Sequence, residues 1–141
     1  MFHLFKSKQP NLRKIVSEEF SRMPTLHDER DTIHIMDFRL IRVDYYSFRD
    51  PGTFYFFMLN LKDTPVKPTA PKTAYHRQID VNTQDRGYGR ELVEAGERIF
   101  GRLGITSIQV NDPFDSPGVW NQNPTFWNHM GYIEGVKELK L

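Results

Sequence analysis

Gln84-Asp85-Arg86-Gly87-Tyr88-Gly89-Arg90 runs without a break into Glu91-Leu92-Val93-Glu94-Ala95-Gly96-Glu97-Arg98-Ile99-Phe100-Gly101-Arg102-Leu103, and the fold hangs on how this stretch is read. Apolar residues at Leu92, Ile99 and Leu103, with Val93 and Phe100 beside them, recur at helical spacing and mark one face. Glu91, Glu94, Glu97, Arg98 and Arg102 take the other side, with Glu94 and Arg98 spaced as a supportive i,i+4 pair. A loop stripped of side chains by Gly87 and Gly89 therefore opens straight into an amphipathic helix. The first turn of a helix presents unpaired N–H groups and partial positive charge, so it attracts anions. Glycine lets an anion reach the backbone without meeting a Cβ, and Arg86 and Arg90 add charge nearby. The stretch predicts a pyrophosphate cradle. It is neither a Lys-Ser/Thr P-loop nor a dinucleotide fingerprint, because no Gly-Lys-Ser/Thr follows and Leu92 stands where the third glycine belongs.

Upstream of the cradle, Thr73–Val81 reads as a strand feeding it, and Lys62–Lys72, with Pro65, Pro68 and Pro71, reads as a stiff surface loop. Thr53–Leu61 is almost wholly aromatic or aliphatic and predicts a strand covered on both faces. Asp50-Pro51-Gly52 is a turn. Thr32–Tyr46 alternates like a half-buried strand, with Ile33 and Ile35 expected on one face and Ile41, Val43 and Tyr45 on another across a bulge near Asp37. Pro10–Met23 is a helix with Leu12, Ile15, Val16, Phe20 and Met23 on one face, and Phe2–Phe5 is a candidate edge strand. Downstream, Gly101 and Gly104 should close the central helix. Ile105–Val110 follows as a short strand, then a loop over Asn111–Val119. Asn123 caps a last helix with Pro124 at its first position, and Gly131 ends it. Tyr132–Leu141 is a final strand.

The order strand, Gln-x-x-Gly-x-Gly, helix, strand, then Asn123 to Gly131-Tyr132 resembles the GNAT superfamily of N-acetyltransferases over about residues 74–135. The resemblance implies a single α/β (α+β) domain spanning residues 1–141. It implies a mixed, mostly antiparallel sheet with splayed central strands and flanking helices. Its C-terminal strand is short or missing here, which leaves an edge that a second copy could complete as a homodimer. The implied co-substrate is acetyl-CoA. Gln84, Asp85, Arg86, Gly87, Tyr88, Gly89 and Arg90 would hold the pyrophosphate, Ile79 and Val81 would line the pantetheine arm, and Asn121 and Trp127 would flank the thiol. The arm would pair with the strand before the cradle as an added strand does.

The catalytic side chains depart from the family. Trp127 occupies the place of a tyrosine acid, and indole releases no proton at neutral pH. Gln109 occupies the place of a glutamate base. Replacement candidates are His76, which titrates in the useful range unless it is packed away, and Asp80 beside the cradle. Asp112 and Asp115 could meet a cationic acceptor. Three functions stay open: an acetyltransferase acting on a small-molecule or peptide amine, a catalytically weak module that binds CoA or a partner protein, and a toxin-like enzyme acting on charged transfer RNA.

Composition narrows these. With 141 residues, eleven Phe and net charge +1, the chain supports one packed domain without a strong field for nucleic acid. It has no cysteine, which removes disulfides, thiol catalysis and Cys-ligated metal, and the five histidines show no ligand spacing, so no metal is expected. No apolar run has membrane-spanning length and Met1–Lys6 lacks a signal-peptide core, so a cytoplasmic protein is the expectation.

Overall fold

The computed structural model describes residues 11–27, 31–37, 39–61, 73–110 and 123–139. Several expectations lie outside these residues: the Phe2–Phe5 strand, the proline loop at 62–72, the loop at 111–119 with Asp112 and Asp115, and Asn121.

Among the described residues the chain forms a six-stranded mixed sheet and three helices. The strands are β1 (Ile33–Asp37), β2 (Ile41–Tyr46), β3 (Phe54–Asn60), β4 (Thr73–Asp80), β5 (Ser107–Gln109) and β6 (Val136–Glu138). They lie in the order β1-β2-β3-β4-β5-β6, and every neighbouring pair is antiparallel except β4 and β5, which are parallel. The helices are α1 (Leu12–Ser21), α2 (Tyr88–Arg102) and α3 (Pro124–His129).

The expected single strand over Thr32–Tyr46 is a hairpin. The chain reverses between Asp37 and Ile41, which pair across strands, as do Ile33 and Tyr45. No bulge is needed at Asp37, because Ile33, Ile35, Ile41, Val43 and Tyr45 all stand in one phase of the alternation, and the turn brings Ile33 beside Tyr45 and Ile35 beside Val43 on one face. The register shift lies elsewhere, in β4, where Phe56 pairs with Gln78 but Phe57 with His76, so Arg77 is the extra residue.

β3 is fully covered on only one face. Tyr55, Phe57 and Leu59 have no exposure there, whereas on the other face Phe56 is buried and Phe54 and Met58 are half-buried. The covered face meets both α1 and α2. The Asn11 side chain accepts the Lys14 N–H to start α1, and its buried Phe20 stacks on Tyr45 with ring centroids 4.7 Å apart. Burying each such ring or Leu contributes about 1.5–3 kcal/mol.

α2 carries its apolar face as expected, with Leu92, Val93, Ile99 and Phe100 wholly buried. Its polar face is wired differently. Arg98 donates to Glu19 at 2.8 Å and Arg102 to Glu19 at 3.0 Å, while Glu94 accepts from Arg90 at 3.3 Å, so the expected Glu94–Arg98 pair gives way to a tie between α1 and α2. A buried carboxylate on α1 competes better for the guanidinium than an exposed neighbour one turn away. Gly104, at φ +77°, alone ends the helix: its N–H reaches Gly101 O and the Ile105 N–H reaches Phe100 O. Gly101 lies inside α2. The expected long final strand is only β6, because Glu134 and Gly135 at positive φ bend the chain before it.

Candidate functional site

A cavity of about 510 Å³ opens between the C-terminal end of β4, the glycine loop and α3, within the range of small-molecule sites. It gathers Ile79, Asp80, Val81, Gln84, Asp85, Arg86, Gly87, Tyr88, Gly89, Arg90 and Trp127, eleven residues singled out from sequence, and adds Thr83, Asn123 and Phe126.

The loop is held open by backbone geometry. Gly87 caps α2 at φ +76° and Asp85 sits at φ +63°, both left-handed. No side chain caps the helix, whose first intrahelical bond is Glu91 N–H to Gly87 O. The N–H groups of Tyr88, Gly89 and Arg90 at the head of α2 have no hydrogen bond among the described residues, which is the arrangement an anion completes. A Cβ at Gly87 would meet nothing within 4 Å, so its glycine serves conformation. A Cβ at Gly89 would lie 3.5 Å from the Phe126 ring and 3.8 Å from Ile79 Cδ1, at the waist of the cavity.

Asp50, in the β2–β3 turn, anchors the loop from below. Its Oδ2 accepts from the Thr53 hydroxyl and from the Thr83 N–H at 3.0 Å, and its Oδ1 accepts from the Thr83 hydroxyl. Thr53 Oγ1 in turn accepts the Asn82 N–H at 2.9 Å. These bonds, led by that from Thr53, hold the Asp50 carboxyl below its ordinary pKa. Sequence reading took Asp50 only as a turn former, because a bond spanning 33 residues leaves no local signal. Gln84 turns back to donate to Val81 O, and Arg90 leans toward Glu94, so neither side chain points solely at the cavity.

β5 accompanies β4 only from Thr73 to Tyr75. From His76 to Asp80 no described strand lies beside β4 on the side away from β3, and that edge runs to the cavity. Asp80 is exposed and accepts from Gln78 Nε2 at 2.6 Å. Gln109 pairs with Tyr75 at the end of the β4–β5 contact.

The other candidate base is placed differently. His76 has no exposure and lies behind the cavity wall, with its ring centroid 5.1 Å from that of Trp127. Its Nδ1 is 2.6 Å from Tyr55 Oη and its Nε2 2.7 Å from Tyr132 Oη. Burial, helped by the Lys137 charge, lowers its pKa to about 3. An imidazole with both nitrogens engaged and no route to solvent cannot take a proton from an acceptor in the cavity. The expectation of His76 as a base is corrected here to a packed, neutral histidine. Trp127, 1% exposed, is core packing and cavity wall at once.

Among the described residues no group of three or more His, Asp or Glu is arranged to hold a metal, and no helix is long and apolar enough to cross a membrane. No protein-family model, curated protein or solved structure matches the chain.

Proposed function

We propose that the chain is a GNAT-type N-acetyltransferase that binds acetyl-CoA in the cavity at the head of α2. The observation that carries the reading is convergence: a bare-backbone helix start, a strand edge with no described strand beside it and an aromatic wall enclose one space of about 510 Å³. A diphosphate would rest on the Tyr88, Gly89 and Arg90 amides, with Arg86 neutralising charge. The amide-bearing pantetheine arm would extend β4 along that edge beyond Tyr75, with Ile79 and Trp127 giving apolar contact.

In the transfer, a neutral amine attacks the thioester carbonyl, the C–N bond forms, the C–S bond breaks, and CoA leaves as thiolate to be protonated. A backbone N–H of β4 near Ile79 would polarise the carbonyl. Asp80, exposed at the cavity, is the candidate left to accept the ammonium proton, directly or through water. The acceptor is an amine, small-molecule or peptide.

Trp127 and Gln109 favour a second reading, a CoA-binding module with weak or no transfer, because neither can serve as acid or base at neutral pH. Calorimetry with acetyl-CoA tests the binding that both readings share, and thiol release with mixed amines separates them. Absence of heat with acetyl-CoA would sink both.

A further inference from the structure

Behind the Trp127 wall a polar chain crosses the core and belongs to none of the chemistry above. Lys137 Nζ, on β6, donates to both Glu97 carboxylate oxygens at 3.1 Å and to Met130 O at 2.9 Å. The Tyr132 hydroxyl donates to Glu97 Oε2 at 2.7 Å. Tyr132 Oη also touches His76 Nε2, and His76 Nδ1 touches Tyr55 Oη. Tyr55, His76 and Tyr132 are all without exposure.

The directions of these bonds follow from counting protons. Glu97, paired with an ammonium on both oxygens, can only accept. Tyr132 has one proton and gives it to Glu97, so toward His76 its oxygen must accept. His76 therefore carries its proton on Nε2. Its Nδ1 is then an acceptor, filled by the Tyr55 hydroxyl. Reversing any link would set two acceptors or two donors face to face in a dry core, where an unmet polar group is costly. We propose that Glu97, locked by Lys137, directs every proton of this chain, holds His76 as the Nε2–H imidazole, and so gives Trp127 a fixed seat in the cavity wall.

The same lysine ties two cavity walls together. Glu97 is on α2, whose first turn borders the cavity, and Met130 caps α3, which carries Phe126 and Trp127. Lys137, Glu97 and Tyr132 are positioning residues that set how the helices stand apart, and they do so whatever ligand the cavity takes.

The test is nitrogen NMR of the imidazole in the full, unliganded chain. Wild type should show His76 as Nε2–H. Tyr55→Phe removes only the terminal donor and should leave that tautomer in place. Tyr132→Phe removes the acceptor for Nε2–H while the Tyr55 hydroxyl still fills Nδ1, so the tautomer should stay and the Nε2–H proton resonance should move upfield as its hydrogen bond is lost. Lys137→Met should shift the Trp127 indole N–H resonance, and Lys137→Arg should restore it. An Nδ1–H wild type, or an Nε2–H resonance that Tyr132→Phe leaves unmoved, overturns the proposal. If Tyr132→Phe does not fold, the wild-type spectrum and Tyr55→Phe still decide it. No ligand is involved, so failure here and failure of acetyl-CoA binding are separate results.

Discussion

The Asp50 carboxylate grips Thr83 twice, at its N–H and at its hydroxyl, across 33 residues of sequence. The grip fixes where the chain leaves β4 and hence where the glycine loop begins. On the proposed function, Asp50→Ala should therefore weaken acetyl-CoA binding more than its loss of melting temperature suggests, read by calorimetry beside thermal denaturation. Equal affinity in variant and wild type would show that the loop needs no such anchor.

Gly96 faces Tyr55 across the core, and a Cβ there would lie 2.3 Å from Tyr55 Oη. Gly96→Ala gains helix propensity of up to about 1 kcal/mol but overpacks the core at a cost of roughly 1–3 kcal/mol and pushes Tyr55 off His76. Net destabilisation in urea unfolding is expected, partly recovered when Tyr55→Phe removes the hydroxyl. A stabilised Gly96→Ala protein would contradict the close approach.

His76 makes stability depend on mild acid. Its pKa is lowered to about 3 in the folded chain from an ordinary value near 6.5, so between those values the unfolded chain binds the extra proton. The contribution is present in full above about pH 6.5 and falls by roughly 1.4 kcal/mol per pH unit on acidification toward pH 3. His76→Phe should flatten urea midpoints across that window, although it lowers stability at pH 7 by leaving Tyr55 Oη without its acceptor.

Glu19 governs a lower window. Burial would raise its pKa, but hydrogen bonds from Arg98 and Arg102 outweigh this and lower it. Its contribution is therefore present above the usual glutamate range and disappears as pH falls through the lowered value. Glu19→Gln should cost about 1–2 kcal/mol, below the cost of breaking a fully buried pair because both arginines reach solvent. The loss should shrink in high salt, as measured by denaturant titration.

Gly89 separates fold from ligand. A methyl there makes ordinary contact with Phe126, so Gly89→Ala should fold normally. On the proposed function, Gly89→Leu should fill the cavity and abolish the stabilisation by acetyl-CoA that the parent would show, about 2.7 kcal/mol at 100 times Kd. Thermal shift with and without acetyl-CoA reads both.

The cavity was legible in sequence where it depends on local rules. A glycine before an amphipathic run gives a bare helix start, and Arg86, Gly87, Gly89 and Arg90, named on that basis, line one space with Ile79, Val81 and Trp127, which the family resemblance named. The caps at Asn123 and Gly104 were legible for the same reason, since a cap is a bond between near neighbours. Thr32–Tyr46 was misread because an alternation that keeps one phase from Ile33 to Tyr45 fits one strand or two until the pairing is known. Arg98 was assigned to Glu94 because sequence shows a helix only its own neighbours, and Glu19 comes from another helix.

Sequence by itself determined the helices, the strands β3, β4 and β5 and the bare loop at the head of α2, because periodicity, capping and glycine act within a few residues. Tertiary structure alone decided that His76 is sealed between two tyrosines, that Asp50 holds the loop, and that Lys137 joins two helices. Those are contacts between residues far apart in the chain, fixed by which faces the sheet buries, and burial is a property of the packed molecule.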